Sequence, residues 1–264
     1  MGSSEVCPQR SLVETATDVA LIHAGIADSR MWEPQVRSFA PSHRVIAPDL
    51  PGFGQMPLDQ DPVDFRAFAR HALDAAGMHS AALVGTSLGG RIALELALES
   101  PERVNALVLV GSGLDGHEWS KEVHAFGDEE EAALERGDLD AAVETNLRMW
   151  LAGPARRLDE IDPAIRQLVG EMQRNAFQLQ QGHDFRLALL EPPASERLSE
   201  IRVPTLVLTG DEDVPDIHLI AEKLTREIPG AERATISEAA HLPNLERPEE
   251  FDRIVLGFLR QHGV

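Results

Sequence analysis

Short apolar runs alternate with segments of helical period through the first 113 residues. The run DVALIHAG, 18–25, reads as a buried strand that leaves through a glycine turn. Met31 to Phe39 follows as a short helix. RVIAPDLPGFG, 44–54, is a second strand running into a Pro/Gly-rich loop. From Asp64 to Ala76, Phe65, Phe68, Ala69, Ala72, Leu73 and Ala76 share one side, and Asp64 can cap the helix they predict. A third strand spans 81–85. The helix after it carries Leu88, Ile92 and Leu96 at spacings of four, with Ala93 and Ala97 beside them. It ends near Ser100, because Pro101 cannot continue it. NALVLVGSG, 105–113, is a fourth strand. None of these runs alternates strictly, as expected of strands covered by helices on both faces.

The pattern then changes. Residues 114–198 contain no good strand run. Helical segments are predicted at about 119–135, 139–151, 160–180 and 184–190. Gly137, Gly153-Pro154, Gly182 and Pro192-Pro193 separate them. Strand character resumes at 203–210, followed by a helix at 216–228, a strand at 231–236 and a final helix from Pro248 to His262. That last helix aligns Phe251, Ile254, Val255, Phe258 and Leu259. The expectation is an α/β core, 1–113 and 199–264, built as a three-layer sandwich around a mostly parallel central sheet. A helical cap, 114–198, is inserted before the last two strands.

Composition narrows the function classes. The chain has 264 residues, 43% hydrophobic, enough for a substantial core. It carries 24 basic and 44 acidic residues, a net charge of −20, and no Lys/Arg run longer than two. Such a surface repels nucleic acid and anionic membranes. No run of eighteen apolar residues exists, and the first residues lack the basic-then-apolar pattern of a secretory signal. A cytoplasmic location is expected by default, as a monomer or homodimer. A single cysteine, Cys7, excludes an intrachain disulfide.

Chemistry concentrates at Gly85-Thr86-Ser87-Leu88-Gly89-Gly90. A Gly-x-Ser-x-Gly sequence between a strand and a helix places the serine on a sharp turn with its hydroxyl exposed. Gly85 and Gly89 keep side chains out of the crossing, and the helix start directs N–H groups at the serine. A serine hydroxyl needs a base, and the base needs an orienting acid. Of ten histidines, His241 fits best: it follows the last strand, with small residues Ala239 and Ala240 before it. The acid belongs on an earlier strand-end loop, and GDEDVPD, 210–216, offers Asp211, Glu212, Asp213 and Asp216. Asp213 is preferred because it lies beyond the turn, with Asp211 close behind and Asp115 a substitute after the fourth strand. The oxyanion donors are the N–H groups of Leu88 and, from the first strand's exit loop, Gly25. His23 is expected to hold that loop in place.

Together these segments resemble the α/β-hydrolase fold superfamily, most closely its capped serine esterases and enol-lactone hydrolases. LIHAGIADSRMW is similar to the family's His-Gly loop, DLPGFG to its Asp-x-Pro-Gly-x-Gly loop and GTSLGG to its nucleophile elbow. GDEDVPD and AAHLPNLERPEEF resemble its acid and histidine loops. The resemblance spans 19–113 and 200–262. It implies a catalytic triad of Ser87, Asp213 (third after the acid-loop glycine) and His241, with Gly25, the second residue after His23, as an oxyanion donor. Two features depart from the pattern. Ala24 stands where a glycine is usual, and only about eighteen residues of weak β character precede Asp18 where the family has a hairpin, so that hairpin is expected to be shortened or missing.

The implied reaction is hydrolysis of a small-molecule ester or lactone through an acyl-enzyme. Carbon–carbon bond hydrolysis and perhydrolysis can use the same triad, and a non-catalytic binding protein is the rival class. The cap is expected to roof the pocket, with Asn146, Arg148, Trp150 and Phe177 as candidate lining residues and Phe53 as an apolar wall. Arg148 is a candidate partner for a substrate carboxylate. No metal-ligand cluster or dinucleotide fingerprint is present in the sequence, so the mechanism implies no cofactor.

Overall fold

A computed structural model describes residues 17–59, 62–183 and 186–264. The expected N-terminal shortening falls outside them. In chain order the core begins with β1 (Thr17–Ile22), α1 (Glu33–Phe39), β2 (His43–Ile46), α2 (Phe65–Ala75), β3 (Ala81–Thr86), α3 (Leu88–Glu99) and β4 (Val104–Val110). The insertion carries α4 (Lys121–Glu135), α5 (Leu139–Asn146), a π-helical turn (Leu147–Ala152) and α6 (Pro163–Gln180). The core resumes with β5 (Thr205–Gly210), α7 (Pro215–Glu227), β6 (Glu232–Ile236), α8 (Pro243–Glu246) and α9 (Pro248–Gln261).

The six strands form one parallel sheet in the order β2-β1-β3-β4-β5-β6. β3 lies inside it and all six of its residues are buried. Alternate residues serve opposite faces. Val19, Leu21, Ala82 and Val84 pack with Phe39 of α1 and Phe251, Val255 and Leu259 of α9. Ala20, Ile22, Ala81 and Leu83 pack with Leu73 of α2, Ile92 and Leu96 of α3 and Leu224 of α7. Both sheet faces are therefore covered, which explains the apolar runs without alternation. Each buried Val, Leu, Ile or Phe side chain among them contributes about 1.5–3 kcal/mol.

Two elements differ from expectation. The predicted helix over 139–151 is an α-helix only to Asn146, then widens into the π-helical turn. The segment predicted as a helix at 184–190 runs extended where it is described. Val63 N–H donates to Arg186 O (2.8 Å), Ala188 N–H donates to Val63 O (2.9 Å), and Leu187 bridges Val63 in parallel. Pairing with the loop before α2 satisfies the backbone there, and the prolines at 192 and 193 follow at once.

Candidate active site

All six strands point the same way, so their exit loops gather at one edge of the sheet. The chain order reverses between β1 and β3, which opens a crevice there. The β1 loop carries His23 and Gly25, and the β3 exit is Ser87. The β5 and β6 loops bring Asp213 and His241.

Ser87 has φ 55° and ψ −112°, a conformation that costs a non-glycine residue on the order of 1–3 kcal/mol. The surroundings fix it. Its N–H donates to Val110 O (2.9 Å), and its carbonyl accepts from Arg91 N–H (3.0 Å) and Gly113 N–H (3.1 Å). A side chain at Gly89 would collide with the Ile22 carbonyl, and one at Gly85 with the Gly89 carbonyl. The glycines therefore let α3 start against the sheet. A Cβ added at Gly25 would lie 3.7 Å from Leu88 Cβ, so the two expected oxyanion positions are adjacent.

Asp213 Oδ2 lies 2.8 Å from His241 Nδ1, and both side chains are 1% exposed. Asp213 Oδ1 accepts from Val214 N–H at 2.8 Å. Because the carboxylate faces Nδ1, the imidazole keeps its proton there. Its buried Nε2 has no hydrogen-bond partner and presents a free lone pair. The alternative acids are engaged elsewhere or face solvent: Asp115 pairs with Arg91 at 3.2 Å, and Asp211 is exposed. Asp216, in the first turn of α7, accepts from Ser120 N–H at 2.8 Å and ties the start of the insertion to that helix.

His23 is fully buried. Its Nε2 accepts from Leu50 N–H (2.9 Å) and its Nδ1 lies 2.9 Å from Ala24 O. That pairing requires the neutral ring with the proton on Nδ1. Burial pushes its pKa below the ordinary imidazole value, against the pull of Ala24 O, Asp49 and Asp28. The β1 loop is thereby fastened to the Pro/Gly loop, where Phe53 meets the His23 ring edge-on at 5.1 Å.

The insertion reaches the triad candidates through one of its expected lining residues. The Trp150 ring lies 4.6 Å from the His241 ring, tilted by 37°, and Trp150 O accepts from His241 N–H at 3.3 Å. Phe126 of α4 meets the same indole edge-on at 5.7 Å. Asn146 is buried instead between Glu130 and Ala142 O. Arg148 is paired with Glu129 and Thr145. Phe177 packs in the core with Met172 and Val169. A cavity of about 520 Å³ opens beside the acid loop, lined by Val123, Phe126, Met149, Pro154, Val214 and Pro215. Glu122, Glu129, Asp216 and Arg148 edge it, and none of the triad candidates lines it. Among the described residues no cluster of three His, Cys, Asp or Glu could hold a metal ion. No described helix is long and apolar enough to cross a membrane.

Comparison with known proteins agrees with this architecture. The family model described as alpha/beta hydrolase fold matches residues 19–248. The chain belongs to the α/β-hydrolase fold family. It is 30% identical to a 2-hydroxy-6-oxo-6-phenylhexa-2,4-dienoate hydrolase from Burkholderia cepacia, over 91% of this chain and 87% of that one. It is 26% identical to the carboxylesterase YbfK of Bacillus subtilis, over 92% and 80%. Among solved structures it is similar to an N-acyl homoserine lactone degrading enzyme, at 25% identity and a TM-score of 0.72, covering 92% and 93%. This α/β-hydrolase is thus an enzyme of a hydrolytic family whose members include ester, lactone and carbon–carbon bond hydrolases.

Proposed function

We propose that this hydrolase cleaves a carboxylic ester or lactone of a small molecule through an acyl-enzyme on Ser87. The observation that carries the reading is the buried Asp213–His241 pair with its free Nε2, set at the same sheet edge as a strained Ser87. In this mechanism His241 Nε2 takes the Ser87 proton as Oγ attacks the carbonyl carbon. The carbonyl oxygen becomes an oxyanion between the N–H groups of Gly25 and Leu88. As the intermediate collapses, His241 passes its proton to the leaving oxygen. Water then gives a proton to Nε2 and its hydroxyl to the acyl carbon, and as this second intermediate collapses His241 returns the proton to Ser87 Oγ, which releases the acid and regenerates the serine. Asp213 keeps the ring oriented and stabilises it while it carries charge.

The substrate is proposed to be uncharged near the cap. Arg148, the expected partner for a substrate carboxylate, is already engaged by Glu129, and Glu122 and Asp216 add negative charge to the cavity edge. Carbon–carbon hydrolysis is the second reading, favoured by the 30% identity to a dienoate hydrolase. A panel of aryl esters, lactones and a vinylogous diketone acid separates the two. The Ser87→Ala variant is expected to lose burst release from an activated aryl ester by 10³-fold or more, roughly the scale of removing a triad nucleophile. Retained turnover in that variant sinks the proposal. A fluorophosphonate is expected to label wild type at Ser87 and to leave the variant unlabelled.

A further inference from the structure

The histidine loop is held by a group outside the triad. Glu246, at the end of α8, is buried, its side chain 7% exposed. Its Oε1 accepts from Ala240 N–H at 2.8 Å, on the residue just before His241. Its other oxygen, Oε2, lies 2.6 Å from Arg156 Nη1. Arg156 belongs to the insertion, and its remaining donors turn back onto it. Nε donates to Ala152 O (2.9 Å) and Nη2 to Leu151 O (2.9 Å), carbonyls at the end of the π-helical turn. Trp150 lies in that turn, against the His241 ring, and its carbonyl takes the His241 N–H. The contacts form a closed circuit: His241, Ala240, Glu246, Arg156, the turn, Trp150 and back to His241.

The two side chains in the circuit are suited to their links. The guanidinium reaches a carboxylate and two carbonyls at once because its donors form a planar fork. A carboxylate is needed at 246 because it accepts from two donors and donates to neither. Burial pushes the Glu246 carboxyl above the ordinary range, with Arg156 and the Ala240 N–H pulling it back. The strand-end loop alone fixes only the backbone of His241, and Asp213 fixes one ring edge. The circuit adds a face.

We propose that Glu246 and Arg156 are positioning residues that clamp the insertion's π-helical turn onto the histidine loop and hold Trp150 as a platform for His241. The proposal rests on His241 being the base. Wild type, Glu246→Ala, Arg156→Met and the double variant are compared on p-nitrophenyl acetate, with kcat and KM resolved separately. Each single variant is expected to lose about tenfold or more in kcat, the scale of a misplaced catalytic group, with KM within about twofold. The double variant should be no worse than the more impaired single variant, because both changes break one unit. Trp150 emission, taken as the difference between each protein and its Trp150→Phe counterpart, should shift to the red as the indole leaves the imidazole. That readout needs no turnover.

Loss of Glu246 leaves Arg156 unpaired, so Glu246→Gln is the second variant. The amide oxygen still serves Ala240 N–H, but the NH₂ group faces the guanidinium. It should fold and still lose about threefold or more in kcat. Unchanged kcat in folded Glu246→Gln and Arg156→Met overturns the clamp, as do losses that multiply in the double variant. If wild type does not hydrolyse this ester while the red shift appears in the variants, the ester reading fails and the link between the turn and the histidine loop stands. If the emission is also unchanged, both fail.

Discussion

His23 sits two residues before Gly25, a proposed oxyanion donor, and uses both ring nitrogens on the backbone. Its Nε2 takes the Leu50 N–H, so a second proton there would face a donor in a site with no solvent. Burial therefore depresses its folded pKa below the ordinary value of 6.5. The sign follows from linkage. The stability tied to the neutral ring is complete above 6.5. It is lost as pH falls, because the unfolded chain takes up the proton first. Compared with His23→Gln, which carries no charge at any pH, the wild-type advantage should narrow between pH 7.5 and 5, by at most about 1.4 kcal/mol per pH unit. Urea melts at each pH measure this, and a constant difference refutes it. At this scale the sequence was legible in placement: Ser87, Asp213 and His241 were expected at strand ends, and the structure sets them there, with Asp213 beside His241. The partners of Arg148 and Asn146 were not legible, because Glu129 and Glu130 lie on another helix and only the packing of the insertion's helices pairs them, although Arg148 does edge the cavity as expected. Glu246 and Arg156 were missed for the same reason: they are 90 residues apart.

Among the elements, the strands and core helices fall within a few residues of their predicted bounds, since burial on both sheet faces imposes the pattern directly. The insertion is less regular. A helix-period pattern over 139–151 does not reveal where the backbone widens from α to π, because the same apolar residues suit both. The turn ends at Gly153, with φ 72°, where a Cβ would collide with the Glu212 carbonyl of the acid loop. Gly153→Ala should cost about 2 kcal/mol or more, from the backbone conformation together with the collision. That corresponds to a thermal midpoint lower by roughly 4–8 °C. It should also lower kcat, since the turn carrying Trp150 must back away from the acid loop. A variant that melts and turns over like wild type contradicts this account of the junction. The segment 184–190 reads as a helix by composition, but pairing with Val63 satisfies its backbone instead.

For the molecule as a whole, the net charge of −20 is a load on the folded state. Like charges within a compact shape repel, and salt screens them over about 8–10 Å at ordinary ionic strength. Raising sodium chloride from about 20 mM to 0.5 M should therefore raise the thermal midpoint by a few degrees, roughly 1 kcal/mol. A midpoint that falls with salt would mean that ion pairs such as Arg44–Asp18 and Arg103–Asp74 outweigh the repulsion. The mostly parallel sheet and the place of the insertion before the last two strands were readable from the alternation of apolar runs and helices; the strand order was not read from it. The substrate was not, because the insertion's lining depends on helix-to-helix pairing that no periodicity records.

The bond between Trp150 O and His241 N–H, and the one between Arg156 and Glu246, have a consequence for recombination among relatives. Segments 150–156 and 240–246 are a matched pair of surfaces although 84 to 96 residues of chain separate their members. A chimera that takes its insertion from one parent and its last hundred residues from another inherits two halves of a fitting that were never shaped together. Domain shuffling in this hydrolase is expected to work when both segments travel as one cassette.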